Sequence, residues 1–219
     1  SNGIGPLERK GNIKKTKKIL DKVDLITLRD ERSYKTLHEI GIENKNVKVT
    51  ADPALDLDIA DEKLGKAILK NEGVPSDKKL LGVSVRKWQN LGSDFETQIA
   101  NACDYAYEKY GYYTVFLPMQ SSRDTAIMQN IKRKMKHESA IIKKRYSVEG
   151  MLSIIKCFDM CIGMRLHTLI YAAINSVPLI GLVYDPKINS FMEYTHQRHY
   201  VDVNLSLIHI SEPTRLLSI

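Results

Sequence analysis

The feature that most constrains the fold is a strand–helix–strand pattern between residues 157 and 183. Residues 157–162 are a short apolar run, residues 166–173 are apolar and rich in helix formers, and residues 177–183 are apolar again. Two buried strands joined through a helix must pair in parallel, with a right-handed crossover. In open parallel sheets, ligands bind beyond the carboxyl ends of the strands. Gly163-Met164-Arg165-Leu166-His167 follows the first run, and Tyr184-Asp185-Pro186-Lys187 follows the second. The pattern therefore brings Arg165, His167 and Lys187 to the edge where chemistry usually happens. An Arg and a Lys there suit an anionic ligand, and a His there can move a proton near neutral pH.

Each of the three also has a plainer reading. Arg165 at a helix start would serve equally as a surface residue, but the dipole disfavours a cation there, so an anion is needed nearby. His167 would serve equally as a satisfied core histidine. Lys187 follows a Tyr-Asp-Pro turn, where a solvated lysine is common.

The rest of the chain alternates in the same way. Helices are expected over residues 13–23 and 31–40, with strands over 25–28 and 47–50. An Asp-rich connector follows at 51–58, then a helix over 59–71. A second series adds strands over 80–85, 113–117 and 140–142 and helices over 95–110, 125–135 and 148–156. A helix over 188–194 and a strand over 200–203 complete it. Strands and helices in strict alternation make an α/β fold with a parallel sheet. Residues 1–6 are a Gly-rich loop with no strand before it, so the chain reads as starting in mid-domain. Gly3-Ile4-Gly5-Pro6 lacks the third glycine of a dinucleotide fingerprint, and Pro6 stands where an amide would be needed.

Composition sets bounds on function. No run of 18 apolar residues exists, so no span of a bilayer is expected. Cys103, Cys157 and Cys161 make an odd count without a metal-ligand spacing. No metal site is expected, and a reducing, cytoplasmic compartment fits better than a disulfide framework. The net charge of +7 is uneven. Residues 1–50 hold 12 basic and 7 acidic residues, and residues 123–145 hold 8 and 2. Such stretches serve as solvated helix faces or meet nucleic acid, anionic lipid or a phosphorylated sugar. No aromatic residue lies between Arg123 and Arg145, which argues against nucleic acid. A lipid diphosphate at the membrane surface fits at least as well.

The motifs around Arg165, with Val177-Pro178 and Tyr184-Asp185-Pro186-Lys187-Ile188, resemble the polysaccharide pyruvyl transferases, in particular their bacterial cell-wall (CsaB-type) branch. Upstream stretches agree in order: Gly3 to Pro6, Asp24 to Glu31, Ala51-Asp52-Pro53, Gly82-Val83-Ser84-Val85-Arg86 and Phe116-Leu117-Pro118-Met119-Gln120. The resemblance covers residues 3–203. It implies transfer of pyruvate from phosphoenolpyruvate, as co-substrate, to two hydroxyls of a sugar, giving a cyclic ketal and needing no cofactor. The sugar would belong to a lipid-linked cell-wall precursor met at the inner face of the membrane.

Together these readings predict a glycosyltransferase-B-like architecture. Residues 1–58 would be the end of a truncated first Rossmann-like domain, and residues 59–205 a complete second one that binds the donor. Residues 206–219, SLIHISEPTRLLSI, resemble sequencing-adapter read-through and are expected to be a non-native, poorly packed tail. His167 is the expected general acid/base. Arg86, Arg165, Lys187 and Arg9 are the expected donor-binding cations, with Arg9 reaching the cleft from the first domain. Arg29 reads as structural or acceptor-side, Asp30 as a helix cap, Asp52 as a turn residue. Trp88 would stack on a sugar or pack. The rival functions are a nucleotide-sugar glycosyltransferase or epimerase of the same architecture, or an inactive donor-binding fragment.

Overall fold

The computed structural model describes residues 3, 4, 7, 9–89 and 91–203. Residues 206–219 lie outside the described residues. The chain divides into two compact units, one ending at Leu57 and the other starting at Asp58.

The first unit runs α1 (Lys10–Leu20), β1 (Ile26–Leu28), α2 (Glu31–Glu39) and β2 (Val47–Val49), then one 3-10 turn at Pro53–Asp56. The two strands pair in parallel, with Ile26 opposite Val47. Asp30 caps α2 by accepting from the Ser33 amide at 2.7 Å, and Glu31 suits the positive end of the helix. Ile26, Leu28, Leu37 and Ile42 form the core of this unit. α1 starts and ends three residues earlier than its sequence pattern suggests. The Arg9 carbonyl already accepts from Asn12 and Ile13. At the other end the Asn44 side-chain amide satisfies the Leu20 and Val23 carbonyls. Asp52 does hold a turn, accepting from the Ala54 amide at 3.1 Å.

The second unit opens with α3 (Glu62–Asn71). It continues through β3 (Lys79–Ser84), α4 (Phe95–Tyr110), β4 (Tyr112–Phe116), α5 (Ser121–Lys134), β5 (Ser139–Ile141) and α6 (Val148–Lys156). β6 (Met160–Gly163), α7 (Leu166–Ile174), β7 (Leu179–Val183), α8 (Pro186–Tyr194) and β8 (Tyr200–Asp202) complete it. The six strands make one sheet in the order β5-β4-β3-β6-β7-β8, and every pairing is parallel. β7 is buried along its whole length, as expected of a strand covered by helices on both faces. The chain moves outward from β3 to β5, then returns to the other side of β3 for β6. That reversal makes the β3–β6 seam the switch point of the sheet, where open α/β folds bind ligands.

Several boundaries differ from the sequence reading, among them the starts of α3, α5 and α8, and two at the strands have a plain physical reason. β6 begins at Met160, because the Cys157 and Phe158 amides still donate to the last carbonyls of α6. The Phe158 ring occupies the space beside Gly82 that a side chain there would need. β7 begins at Leu179, because Pro178 has no amide to give a ladder. Its carbonyl is used instead, accepting from Cys161 at 2.8 Å.

Candidate active site at the strand ends

Arg86 lies two residues past β3, Arg165 two past β6, and Lys187 four past β7 in the first turn of α8. These are three neighbouring strands. Ser84 is paired with Gly163, and the Met164 amide donates to the Ser84 carbonyl at 2.7 Å. The backbones before Arg86 and Arg165 are thereby locked together at the switch point.

Arg86 is held by aromatic rings. Its Nη1 donates to the Tyr184 hydroxyl at 3.1 Å. Its guanidinium carbon lies 5.2 Å from the Trp88 ring centroid and 5.4 Å from that of Tyr184. Those two rings meet edge to face at 4.8 Å, so Trp88 packs against Arg86 and Tyr184. The Nε of Arg86 is buried without a hydrogen-bond partner. Among the described residues no carboxylate pairs with Arg86, so it is a cation whose charge is not neutralised locally.

Arg165 is compensated. The sequence required an anion near this helix-opening cation, and the structure supplies Asp124. Arg165 Nε donates to Asp124 Oδ2 at 3.1 Å, Nη2 donates to Asp124 Oδ1, and Nη2 also reaches Gln120 Oε1 at 3.4 Å. Lys187 is paired too, with its Nζ 3.3 Å from Asp185 Oδ2 and 5.4 Å from the Tyr184 centroid. Asp185 also caps α8 through the Lys187 amide at 3.0 Å.

His167 is exposed in the first turn of α7, which removes the core-histidine alternative. Its ring centroid is 6.1 Å from that of Tyr171. Arg9 is an exposed residue of the first unit that precedes α1. Arg29, also in that unit, is paired with Asp30 at 3.4 Å and Asp52 at 3.3 Å.

Sequence reasoning missed three residues of this edge. Tyr184 is buried and joins Arg86 to Lys187. Asp124 is fully buried and holds Arg165. Gln120 completes that contact. The available signal was a lone Asp early in a basic helix, directly after a Pro-Met-Gln turn.

Burial pushes the Cys103 and Cys161 thiols up to about 12 and Cys157 up to about 11, so none is a ready nucleophile at neutral pH. Among the described residues no group of three His, Cys, Asp or Glu could hold a metal ion. No described helix is long and apolar enough to cross a membrane.

A family model for polysaccharide pyruvyl transferases matches residues 1–186. The chain belongs to that family. The fold is shared with solved structures of low sequence identity. UDP-GlcNAc 2-epimerase from Methanocaldococcus jannaschii, in complex with UDP-GlcNAc and UDP, is similar with a TM-score of 0.64 at 16% identity. That match covers 89% of this chain and 54% of the epimerase. Anabaena HepE in complex with UDP-glucose gives a TM-score of 0.61 at 12% identity, over 95% of this chain and 60% of that one. A glycosyltransferase from Rickettsia africae gives 0.60 at 14%, over 99% and 59%. These likenesses establish a glycosyltransferase-B-like α/β fold with parallel sheets. The chain spans only 54% to 60% of the length of these structures. Among curated proteins, none matches it.

Proposed function

We propose that this chain is the donor-binding part of a phosphoenolpyruvate-dependent ketal pyruvyl transferase of the bacterial cell-wall branch. Its acceptor would be a sugar of a lipid-linked cell-wall precursor, met at the cytoplasmic face of the membrane. The carrying observation is the gathering of Arg86, Arg165 and Lys187 at three adjacent strand ends in a chain of this family.

Phosphoenolpyruvate carries a carboxylate and a phosphate on three carbons. Holding both groups calls for several fixed cations, and Arg forks match carboxylate and phosphate geometry. Arg86 is the best-suited contact, since its charge lacks a carboxylate partner among the described residues and its Nε is buried and unpaired. An unpaired buried donor costs about 1–3 kcal/mol, which a ligand oxygen would recover. Lys187 would neutralise the phosphate as it departs.

The reaction divides into balanced steps. A proton from His167 adds to the methylene carbon of the donor, leaving C2 cationic. The first sugar hydroxyl adds to C2, and its proton returns to His167. The C2–O bond to phosphate breaks, and the second hydroxyl closes the ketal as its proton leaves with phosphate. An exposed imidazole at the strand ends suits both directions of proton transfer near neutral pH.

The test is transfer itself. A full-length enzyme that carries this chain is mixed with 2-13C-phosphoenolpyruvate and a diol sugar, and carbon NMR follows the label. A quaternary ketal carbon formed one-for-one with phosphate is expected. Release of uridine diphosphate from a nucleotide sugar, with phosphoenolpyruvate untouched, would overturn the reading in favour of a glycosyltransferase or epimerase.

A further inference from the structure

Asp124 is the fourth residue of α5 and its side chain is fully buried. A buried carboxylate must be neutralised and hydrogen-bonded. It accepts from the Gln120 amide at 2.9 Å and from Nε and Nη2 of Arg165 in a two-pronged fork. The Gln120 side chain takes the second Nη2 proton. Three of the five donors of Arg165 are thus used on one side of the guanidinium. The two on Nη1 have no partner among the described residues.

The connection is long-range. Gln120 and Asp124 follow β4, Arg165 follows β6, and β3 lies between them. Neighbouring strands are about 4.8 Å apart, so the pair reaches across the carboxyl end of β3, where Arg86 emerges. A buried ion pair is a poor stabilising device, since apolar residues of similar volume usually serve as well. What it does supply is a fixed orientation. An Arg with a free stem would lose its rotamer freedom each time it bound an anion.

We propose that Asp124, assisted by Gln120, is a positioning residue. It clamps the Arg165 guanidinium so that the Nη1 edge is presented, preordered, to the donor anion. The inference rests on the pyruvyl transfer reading for the identity of that anion.

Two readouts test it. Calorimetry with phosphoenolpyruvate compares the unaltered chain with Asp124→Asn, Arg165→Ala and the double variant. Asp124→Asn should raise Kd tenfold or more in the native background and less than twofold once Arg165 is Ala. Equal effects in both backgrounds would mean that Asp124 acts on stability alone, and would overturn the proposal. The second readout needs no ligand. In the 15N-labelled chain, the Arg165 Nε–H should exchange slowly with water, and at least tenfold faster in Asp124→Asn. Equal rates would overturn the clamp. Should the unaltered chain ignore phosphoenolpyruvate, the functional reading falls, and the exchange rates still decide the clamp. Should Asp124→Asn not fold, Gln120→Ala carries both measurements, with a two- to fivefold weaker Kd and faster exchange expected, and no change in either contradicting the proposal.

Discussion

Arg86 and Tyr184 follow strands that are not neighbours, yet Nη1 of one donates to the hydroxyl of the other at 3.1 Å, with β6 lying between. The same ring lies 5.4 Å from Lys187 Nζ. One buried tyrosine therefore fixes the only locally uncompensated cation of the three, and touches a second.

Tyr184→Phe keeps the ring and its cation–π contacts and deletes one hydrogen bond. Urea unfolding should show a loss of about 1 kcal/mol. Phosphoenolpyruvate should bind about fivefold more weakly, the equivalent of about 1 kcal/mol. Unchanged affinity would show that the hydroxyl does not orient Arg86 for a ligand.

His167 is exposed, two residues past Arg165. In a full-length enzyme that carries this chain, His167→Ala should lower turnover by roughly a hundredfold or more, the scale of general acid/base loss. Donor affinity should stay within about twofold, since the transfer step and not binding uses the imidazole. Normal turnover in the variant would remove His167 from the mechanism.

Helices α3 and α6 approach so closely that a Cβ on Gly65 would overlap the Ser153 carbonyl and lie 2.7 Å from Cys157 Sγ. A backbone carbonyl cannot swing aside as a side chain can. Gly65→Ala should therefore cost about 1–3 kcal/mol in urea unfolding, the range for overpacking. Gly92→Ala is the control, because nothing lies within 4 Å of its Cβ; a change within about 0.5 kcal/mol is expected. Equal losses at both positions would contradict the packing account.

Glu72 secures the loop before α6. Burial raises its carboxyl, but the Lys143 amide, the Tyr146 hydroxyl and the Lys144 amide outweigh that and leave it below its ordinary 4.5. The contacts measure 2.8, 2.8 and 3.1 Å. A lowered folded value means that the contribution is present above pH 4.5 and is lost as pH falls through the folded value. Denaturation midpoints followed downward from roughly pH 5 should fall less steeply for Glu72→Gln than for the unaltered chain. Identical slopes would show that Glu72 is not the group responsible.

Much of this was legible because period and punctuation agree with tertiary structure. α4 and α6 match their sequence boundaries, one closed by Gly111 in a left-handed turn and the other opened by the Ser147 cap. The continuous apolar runs at 157–162 and 177–183 pointed to buried parallel strands; β7 lies within the second run, and β6 overlaps the first and ends one residue past it. Arg165 needing an anion was a correct electrostatic argument with an incomplete answer. Asp124 is 41 residues away, and only the order of strands brings it there. Tyr184 was hidden for a similar reason. A tyrosine before Asp-Pro reads as a turn residue, and its contact with Arg86 spans 98 positions.

Calorimetry of the purified chain with phosphoenolpyruvate, set against UDP-glucose and UDP-GlcNAc, tests the central claim most directly. The account predicts that phosphoenolpyruvate binds, that it raises the melting temperature by binding the folded state, and that Arg86→Ala weakens it at least tenfold. Tight binding of a UDP-sugar with no heat from phosphoenolpyruvate would contradict it.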